Sequence, residues 1–177
     1  MKKNILVYGL ISGLLVSTFM LISMNYISYC GGDVNYNTSM LIGYSSMLVA
    51  FSLVFVGVRN YRDKFNGGAI TFGRAFGTGL LMVLIASTMY VLAWGIDYFF
   101  FMPDFMDHYT KGMIDSLKES GATQAEIDAK AVEMQKMVDQ YKQPLFFIGY
   151  TYMEILPIGI LVSIISALIL KRKPAQV

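Results

Sequence analysis

The sequence predicts an all-α integral membrane four-helix bundle with an extracytoplasmic amphipathic helical hairpin between helices three and four. Three observations predict it. Hydrophobic residues make up 55 % of the 177 positions. Four apolar runs have the roughly 20 residues that a ~30 Å hydrocarbon layer requires of a helix. A polar segment with helical periodicity separates the last two runs. The spans are about 5–27, 40–58, 76–101 and 145–170, the hairpin is 103–143, and all belong to a single membrane domain, 1–177.

Helices are favoured because every backbone polar group must be satisfied within the segment where no water is present. The runs are too continuous for the alternating strands of an outer-membrane barrel. The net charge of +2 gives no indication of a nucleic-acid partner, and the predicted partner is the lipid bilayer. One cysteine, Cys30, excludes an internal disulfide framework and a multi-cysteine metal site. The first run follows Lys2 and Lys3 like a secretory signal, but its length favours a retained span.

The first helix carries Gly9, Gly13 and Ser17 at four-residue spacing. Small residues in this pattern let another backbone approach closely. We expect that backbone to belong to the same chain; the alternative is a homo-oligomer or a membrane-protein partner. Similar stripes occur in helix two (Gly43, Ser46, Ala50) and helix four (Gly159, Ser163, Ala167).

The connector between helices two and three is strongly basic, unlike the other connectors of the chain. Its sequence is RNYRDKFNGGAITFGRAF. One interpretation is a contact with a lipid head group or a partner, made by Arg59, Arg62, Asp63, Lys64 and Arg74. The favoured interpretation is a topology determinant with an Arg–Asp pair at the membrane surface. Asn66-Gly67-Gly68 predicts a turn, and Thr71 is placed to cap helix three.

The basic residues predict the orientation. Lys and Arg near span ends prefer the cytoplasmic side of a membrane. Nine of the 14 basic residues lie at the N-terminus, in the connector or after helix four, and the other five lie in the 103–143 segment among eight acids. The pattern predicts an inner (plasma) membrane protein with cytoplasmic N- and C-termini.

Helix three ends in a cluster of aromatic residues that is typical of the membrane interface, and Asp97 lies among them. In the hairpin, apolar residues recur at helical spacing, Gly121 interrupts the pattern, and Thr123 with Glu126 predicts a capping box. Asp104, Asp107 and His108 share a helix face there. Helix-dipole and N-terminal capping effects explain these acids better than a metal does. No metal and no cofactor is predicted.

Helix four contains Glu154 one turn before Pro157, which is expected to bend the helix. Asn25, Asp97 and Glu154 fall at similar depth near the outer side of three helices. Ionisable groups in spans are costly and are functional hypotheses by default. The three side chains are therefore candidates for a proton or cation site. The alternative, which we favour, is that each reaches the head-group layer separately.

Several stretches together resemble the bacterial family named domain of unknown function 4199. They are YGLISGLL, GVRNYRDKFNGGAITFGRAFGTG, MYVLAWGIDY, PDFMDHY and EILPIGILVSIISALILKRK, and they cover nearly the whole chain. The resemblance implies a four-span bacterial inner-membrane protein and carries no activity, substrate or catalytic residues.

The function expected from the sequence is a non-enzymatic structural or partner-binding role. The sequence has no HExxH motif, no nucleophile–base pair and only one histidine, so an enzyme is disfavoured. The alternative function is a small ion- or proton-coupled transporter, or a transporter subunit, that uses Asp97 and Glu154.

Overall fold

A computed structural model of the chain describes the backbone of residues 2–29 and 36–172 and the side chains of residues 2–24 and 40–172. This described part contains six helices: α1 (Lys2–Tyr29), α2 (Tyr36–Phe65), α3 (Phe72–Phe100), α4 (Phe105–Glu119), α5 (Gln124–Tyr141) and α6 (Pro144–Leu170). Helices α1, α2, α3 and α6 are long and apolar enough to cross a membrane. Helices α4 and α5 form the hairpin. The predicted fold class is confirmed.

Helix α2 continues seven residues beyond the predicted end of its span at 58. A membrane-spanning helix can continue beyond its apolar run, because polar side chains on its next turns reach the head-group layer. Tyr61 is buried in this extension. Gly67 and Gly68, at φ 64° and 78°, lie in the turn that follows. The predicted turn is therefore confirmed, but four of the five charged residues assigned to the connector lie on helix α2 instead (Arg59, Arg62, Asp63, Lys64).

Helix α3 begins where the sequence predicted a cap. The hydroxyl of Thr71 accepts a hydrogen bond from the backbone N–H of Arg74 at 3.4 Å. This bond satisfies one of the N–H groups that a helix N-terminus leaves without an intrahelical partner. The cap fixes the start of α3 after the six residues that separate it from α2.

Close packing of α1 against α3 follows from the glycines of α1. A Cβ at Gly9 would lie 2.9 Å from Ile85 Cβ, and one at Gly13 would lie 3.0 Å from Ala86 Cα. The small-residue stripe of α1 therefore faces a helix of the same chain, as expected. In α6, Gly159 likewise faces Val83 of α3 and Phe51 of α2.

The core lies between the four long helices. Both α1 and α6 pack against α2 and α3, and α2 also contacts α3. The largest side chains with essentially no exposed surface include Phe51, Met82 and Ile155, from three different helices. The stripe residues Ser17, Ser163 and Ala167 are buried, whereas Gly43 faces open space.

Four segments meet at one end of the bundle, which we call the basic end: the start of α1, the end of α2, the turn 66–71 and the end of α6. Asn4 Nδ2 donates to Asn60 Oδ1 at 3.1 Å, which joins α1 to α2. Ile70 and Arg172 exchange backbone hydrogen bonds of 3.0 and 2.9 Å in an isolated antiparallel bridge. We call this bridge the Ile70–Arg172 clasp.

The hairpin lies at the opposite end, the hairpin end. Gly121, at φ 79°, follows α4, and the capping box opens α5 as predicted: the Thr123 N–H donates to the Glu126 carboxylate at 2.8 Å, and the Glu126 N–H donates to the Thr123 hydroxyl at 3.4 Å. The expected capping by the acids before α4 is wrong for Asp104. Its side chain makes no cap bond, and its carbonyl oxygen instead accepts from the backbone N–H of Asp107 at 3.1 Å.

Candidate functional site at the hairpin end

A cluster of aromatic rings, four of them buried and Phe105 partly buried, joins the hairpin to the bundle. Trp94 and Tyr98 come from α3, Phe105 from α4, Tyr141 from α5 and Phe147 from α6. The Trp94 and Phe105 ring centroids are 4.8 Å apart and nearly perpendicular, and Tyr141 lies 5.1 Å from Phe147. Edge-to-face pairs at these distances add stability beyond the area they bury. We call these five residues the aromatic base.

One hydrogen bond is buried within the aromatic base. Trp94 Nε1 donates to Tyr141 Oη at 3.0 Å. Burial of the phenol raises the pKa of Tyr141, and the bond from Trp94 acts in the opposite direction. Tyr141 therefore holds a polar group in a mostly apolar contact between α5 and α3, which fixes the orientation of both rings.

Glu154 lies in α6, one turn beyond the buried Thr151. Its side chain is exposed at the surface of the isolated chain, although protein atoms surround much of it. The hydroxyl of Tyr90 in α3 is its hydrogen-bonding neighbour, and Tyr44 in α2 and Tyr141 in α5 lie close enough for electrostatic interaction with this pair. The carboxylate of Glu154 thus has one tyrosine of α3 as its hydrogen-bonding neighbour and one tyrosine of α5 within electrostatic range.

Asp97 lies in the last turns of α3, and only 3 % of its surface is exposed. It is seven residues beyond Tyr90, which places it on the same helix face about 10 Å farther along the axis. Its backbone carbonyl accepts from the N–H groups of Phe101 and Met102 at the helix end, at 2.8 and 2.9 Å. An ionisable residue thus lies inside the bundle, close to its hairpin end.

The side chain of Asn25, the third predicted member of the site, and the whole of Cys30 lie outside the described residues. Within the described residues, no group of three or more His, Cys, Asp and Glu side chains has a geometry that could hold a metal ion.

The second predicted site, the basic residues of the connector, is organised around Asp63. Arg62 Nε lies 2.6 Å from one carboxylate oxygen of Asp63, and Arg59 Nε lies 3.7 Å from the other. The Arg62–Asp63 pair is therefore present. Arg62 Nη1 also donates to the Leu170 carbonyl at 3.3 Å, at the C-terminus of α6, where the helix dipole favours a cation.

The other two basic residues of this predicted site differ from each other. Arg74 Nη1 donates to Asn66 Oδ1 at 3.0 Å and so supports the turn before α3. Lys64 is exposed, and no ion pair among the described residues includes it. Lys64 is thus the residue of the five whose charge is most available to a head group or a partner.

Sequence reasoning missed the Ile70–Arg172 clasp and the Tyr90–Glu154 neighbourhood. A signal for the clasp was present, because Ile70 is a large apolar residue directly after the predicted turn at Asn66-Gly67-Gly68 and proves to be 2 % exposed. No comparable signal marked Tyr90, since tyrosines are frequent in this chain and its partner is 64 positions away.

One protein family matches the chain over residues 7–172, and its description is "Protein of unknown function (DUF4199)". The match covers the hairpin and nearly all of the four spans. No curated protein matches the chain, and no solved structure matches it.

Proposed function

We propose a function for this chain, which belongs to the DUF4199 family. The description of that family assigns no activity. The chain is a non-enzymatic membrane protein that binds a protein partner through its hairpin. It lies in the inner membrane with both termini cytoplasmic, and the hairpin is then extracytoplasmic. The positive-inside pattern supports this orientation, since the basic end carries most of the Lys and Arg residues.

The observation that carries the proposal is that the hairpin is fixed at its base and open along one face. The aromatic base buries Tyr141 and Phe147, so the hairpin is held at a defined position on the bundle. A preformed surface binds a partner at lower entropic cost than a mobile segment does.

The open face is a solvent-exposed face of α5. Ala125, Ala129 and Val132 are exposed there at positions i, i+4 and i+7, and 72 % of the Val132 surface is accessible. Ion pairs between neighbouring side chains flank it, including Lys130–Glu133 at 2.9 Å. An apolar stripe with a charged rim is the pattern with which one helix packs against another.

Site-specific photocrosslinking in native membranes tests this proposal. A photoreactive phenylalanine at Val132 should yield a discrete crosslinked product, whose mass identifies either a second copy or another protein. The matched controls are Lys111 on α4 and Leu161 on α6, both exposed and both away from the stripe. Val132→Asp should abolish co-purification of the partner. The absence of a product at Val132, or equal products at all three positions, would overturn the proposal.

A second candidate function, proton or cation coupling, is favoured by the buried Asp97 and by Glu154 beside Tyr90. Carboxylates inside spans commonly mark ion pathways. Asn25 belongs to this hypothesis by its position in the sequence. Cysteines at 97 and 154 in a Cys30→Ser background should crosslink in native membranes if the two carboxylates share one site. Unchanged proton and ion flux in Glu154→Gln and Asp97→Asn would exclude coupling.

A further inference from the structure

A groove of about 480 Å³ lies between α1 and α3 on the outside of the bundle. Ile5 and Leu6 line it from α1, and Leu81, Leu84 and Ile85 line it from α3. Leu6, Leu81 and Leu84 are each at least 40 % exposed, so the groove opens towards the bilayer and not into the core.

The groove is elongated along the helix axes. Gly9 lies opposite Ile85, so Lys2, seven residues before Gly9, lies about 10 Å nearer the basic end. Thr88, three residues after Ile85, lies about 5 Å in the other direction. Both residues also line the groove. The groove is therefore apolar and about 15 Å long, with a lysine at one end.

Lys2 is exposed, and no ion pair among the described residues includes it. It lies at the basic end, where Asn4 joins α1 to α2. Its ammonium group is thus free to bind an anion at the membrane surface, directly above apolar side chains that face lipid.

We propose that this groove binds one anionic phospholipid from the leaflet at the basic end. One acyl chain lies along Ile5, Leu84 and Ile85, and the phosphate of the head group accepts hydrogen bonds from the Lys2 ammonium. An apolar chain with a negative group at its end matches the groove in both shape and charge. Each methylene buried contributes about 0.8 kcal/mol to lipid insertion, and a lysine near the surface contributes about 1 kcal/mol with anionic lipid.

A second copy of the chain fits this groove less well. A copy inserted with the same orientation would bring its own basic end to the same membrane surface. The positive charges of the two basic ends would then lie at the same membrane surface, near Lys2. Like charges brought together oppose association.

Lipid binding to the delipidated full-length protein in detergent, measured by native mass spectrometry, tests the proposal. The probes are phosphatidylglycerol and phosphatidylcholine with identical acyl chains. The unmodified protein should prefer phosphatidylglycerol. Lys2→Gln should reduce affinity for phosphatidylglycerol about fivefold and leave phosphatidylcholine unchanged. Leu84→Trp fills the groove and should reduce the affinity for both lipids about tenfold, as expected when two methylenes of the acyl chain are displaced.

Two matched variants control for charge and for bulk. Lys118→Gln removes an exposed lysine of the hairpin, and Leu161→Trp enlarges an exposed residue of α6 outside the groove. Neither should change lipid binding, and all four variants should unfold at the temperature of the unmodified protein. A retained preference for phosphatidylglycerol in Lys2→Gln, or equal effects of Leu84→Trp and Leu161→Trp, would overturn the proposal. The result is independent of partner binding at the hairpin.

Discussion

At the scale of single residues, the Trp94–Tyr141 bond shows how a polar group can determine an apolar contact. The indole N–H is a donor only, and in this buried position it points at one acceptor, Tyr141 Oη. Aromatic rings alone would pack in several orientations, whereas a buried donor with one acceptor selects the orientation in which the bond forms.

Tyr141→Phe should therefore destabilise the protein by about 1–3 kcal/mol, because the Trp94 N–H would remain buried without an acceptor. The free energy of unfolding can be measured by titration with denaturing detergent in mixed micelles. Tyr150→Phe is the matched control. It removes a 2.8 Å bond to Gln140 at a half-buried position and should cost less than about 1 kcal/mol. Equal costs for the two variants would contradict the special role of the buried bond.

Glu126 is a second residue whose chemistry is local. The N–H of Thr123, followed by its hydroxyl, holds the pKa of Glu126 below its ordinary value of 4.5. A carboxylate with a lowered pKa stabilises the folded state above that ordinary value, and the contribution is lost as the pH falls through the lowered value.

The start of α5 should therefore open more readily as the pH falls below 4.5 and through the lowered pKa of Glu126. Amide hydrogen exchange of residues 124–128 in the intact protein, corrected for the intrinsic effect of pH, measures this opening. In Glu126→Gln the exchange should be faster at neutral pH and lose most of its dependence on pH. A pH dependence that survives this substitution would show that another group is responsible.

At the scale of elements, the contact between α1 and α3 depends on Gly13, which has no side chain. An added Cβ at Gly13 would lie 3.0 Å from the backbone of α3 at Ala86, which a rotamer change cannot relieve. Gly77 in α3 faces open space instead and offers a comparison within the same bundle.

Gly13→Val should destabilise the protein by about 1–3 kcal/mol through overpacking. Gly77→Val carries the same change in helix propensity and should stay within about 0.5 kcal/mol of the unmodified protein. Detergent-induced unfolding of both variants checks the difference. If both variants lose the same stability, propensity and not packing is the cause.

The helices themselves were largely predictable, and their arrangement was not. The apolar runs located all four spans, because length and hydropathy are local properties. The spacing of Gly9 and Gly13 indicated a close-packed face, but nothing local specified that Ile85 and Ala86 of α3, more than seventy residues away, would cover it. The end of α2 was missed because Arg59 to Phe65 is polar, although Tyr61 is buried there.

The candidate site was predictable only residue by residue. Asp97 and Glu154 stood out as acids within apolar runs, which is a property of the sequence. That Glu154 has Tyr90 beside it depends on how α6 is rotated against α3. That rotation is set by contacts such as Gly79 with Ser163, which are distant in sequence.

At the scale of the whole molecule, charge is separated between the two ends. The basic end has Arg59 and Arg62 paired with one acid, Asp63. The hairpin end has exposed acids and lysines in pairs within single helices, such as Lys118 with Asp115. An uneven distribution of this kind orients a bundle during insertion.

The proposed orientation can be checked with single cysteines in a Cys30→Ser background. A membrane-impermeant maleimide should label Ser120→Cys, at the hairpin tip, in intact cells. It should label Lys64→Cys only after the cells are permeabilised. Both positions are exposed in the folded chain, so labelling depends on the side of the membrane on which each cysteine lies and not on its burial in the protein. The reverse pattern would place the hairpin in the cytoplasm.

The Ile70–Arg172 clasp also bears on the order of synthesis. Ile70 leaves the ribosome about one hundred residues before Arg172, so its backbone has to wait for this partner until the last span has been made. During that interval Arg62 also lacks the Leu170 carbonyl as an acceptor. The clasp can therefore form only after α6 has been synthesised and has packed against the bundle. A nascent chain that stalls before α6 therefore lacks the two backbone hydrogen bonds that hold the turn between α2 and α3 against the end of α6.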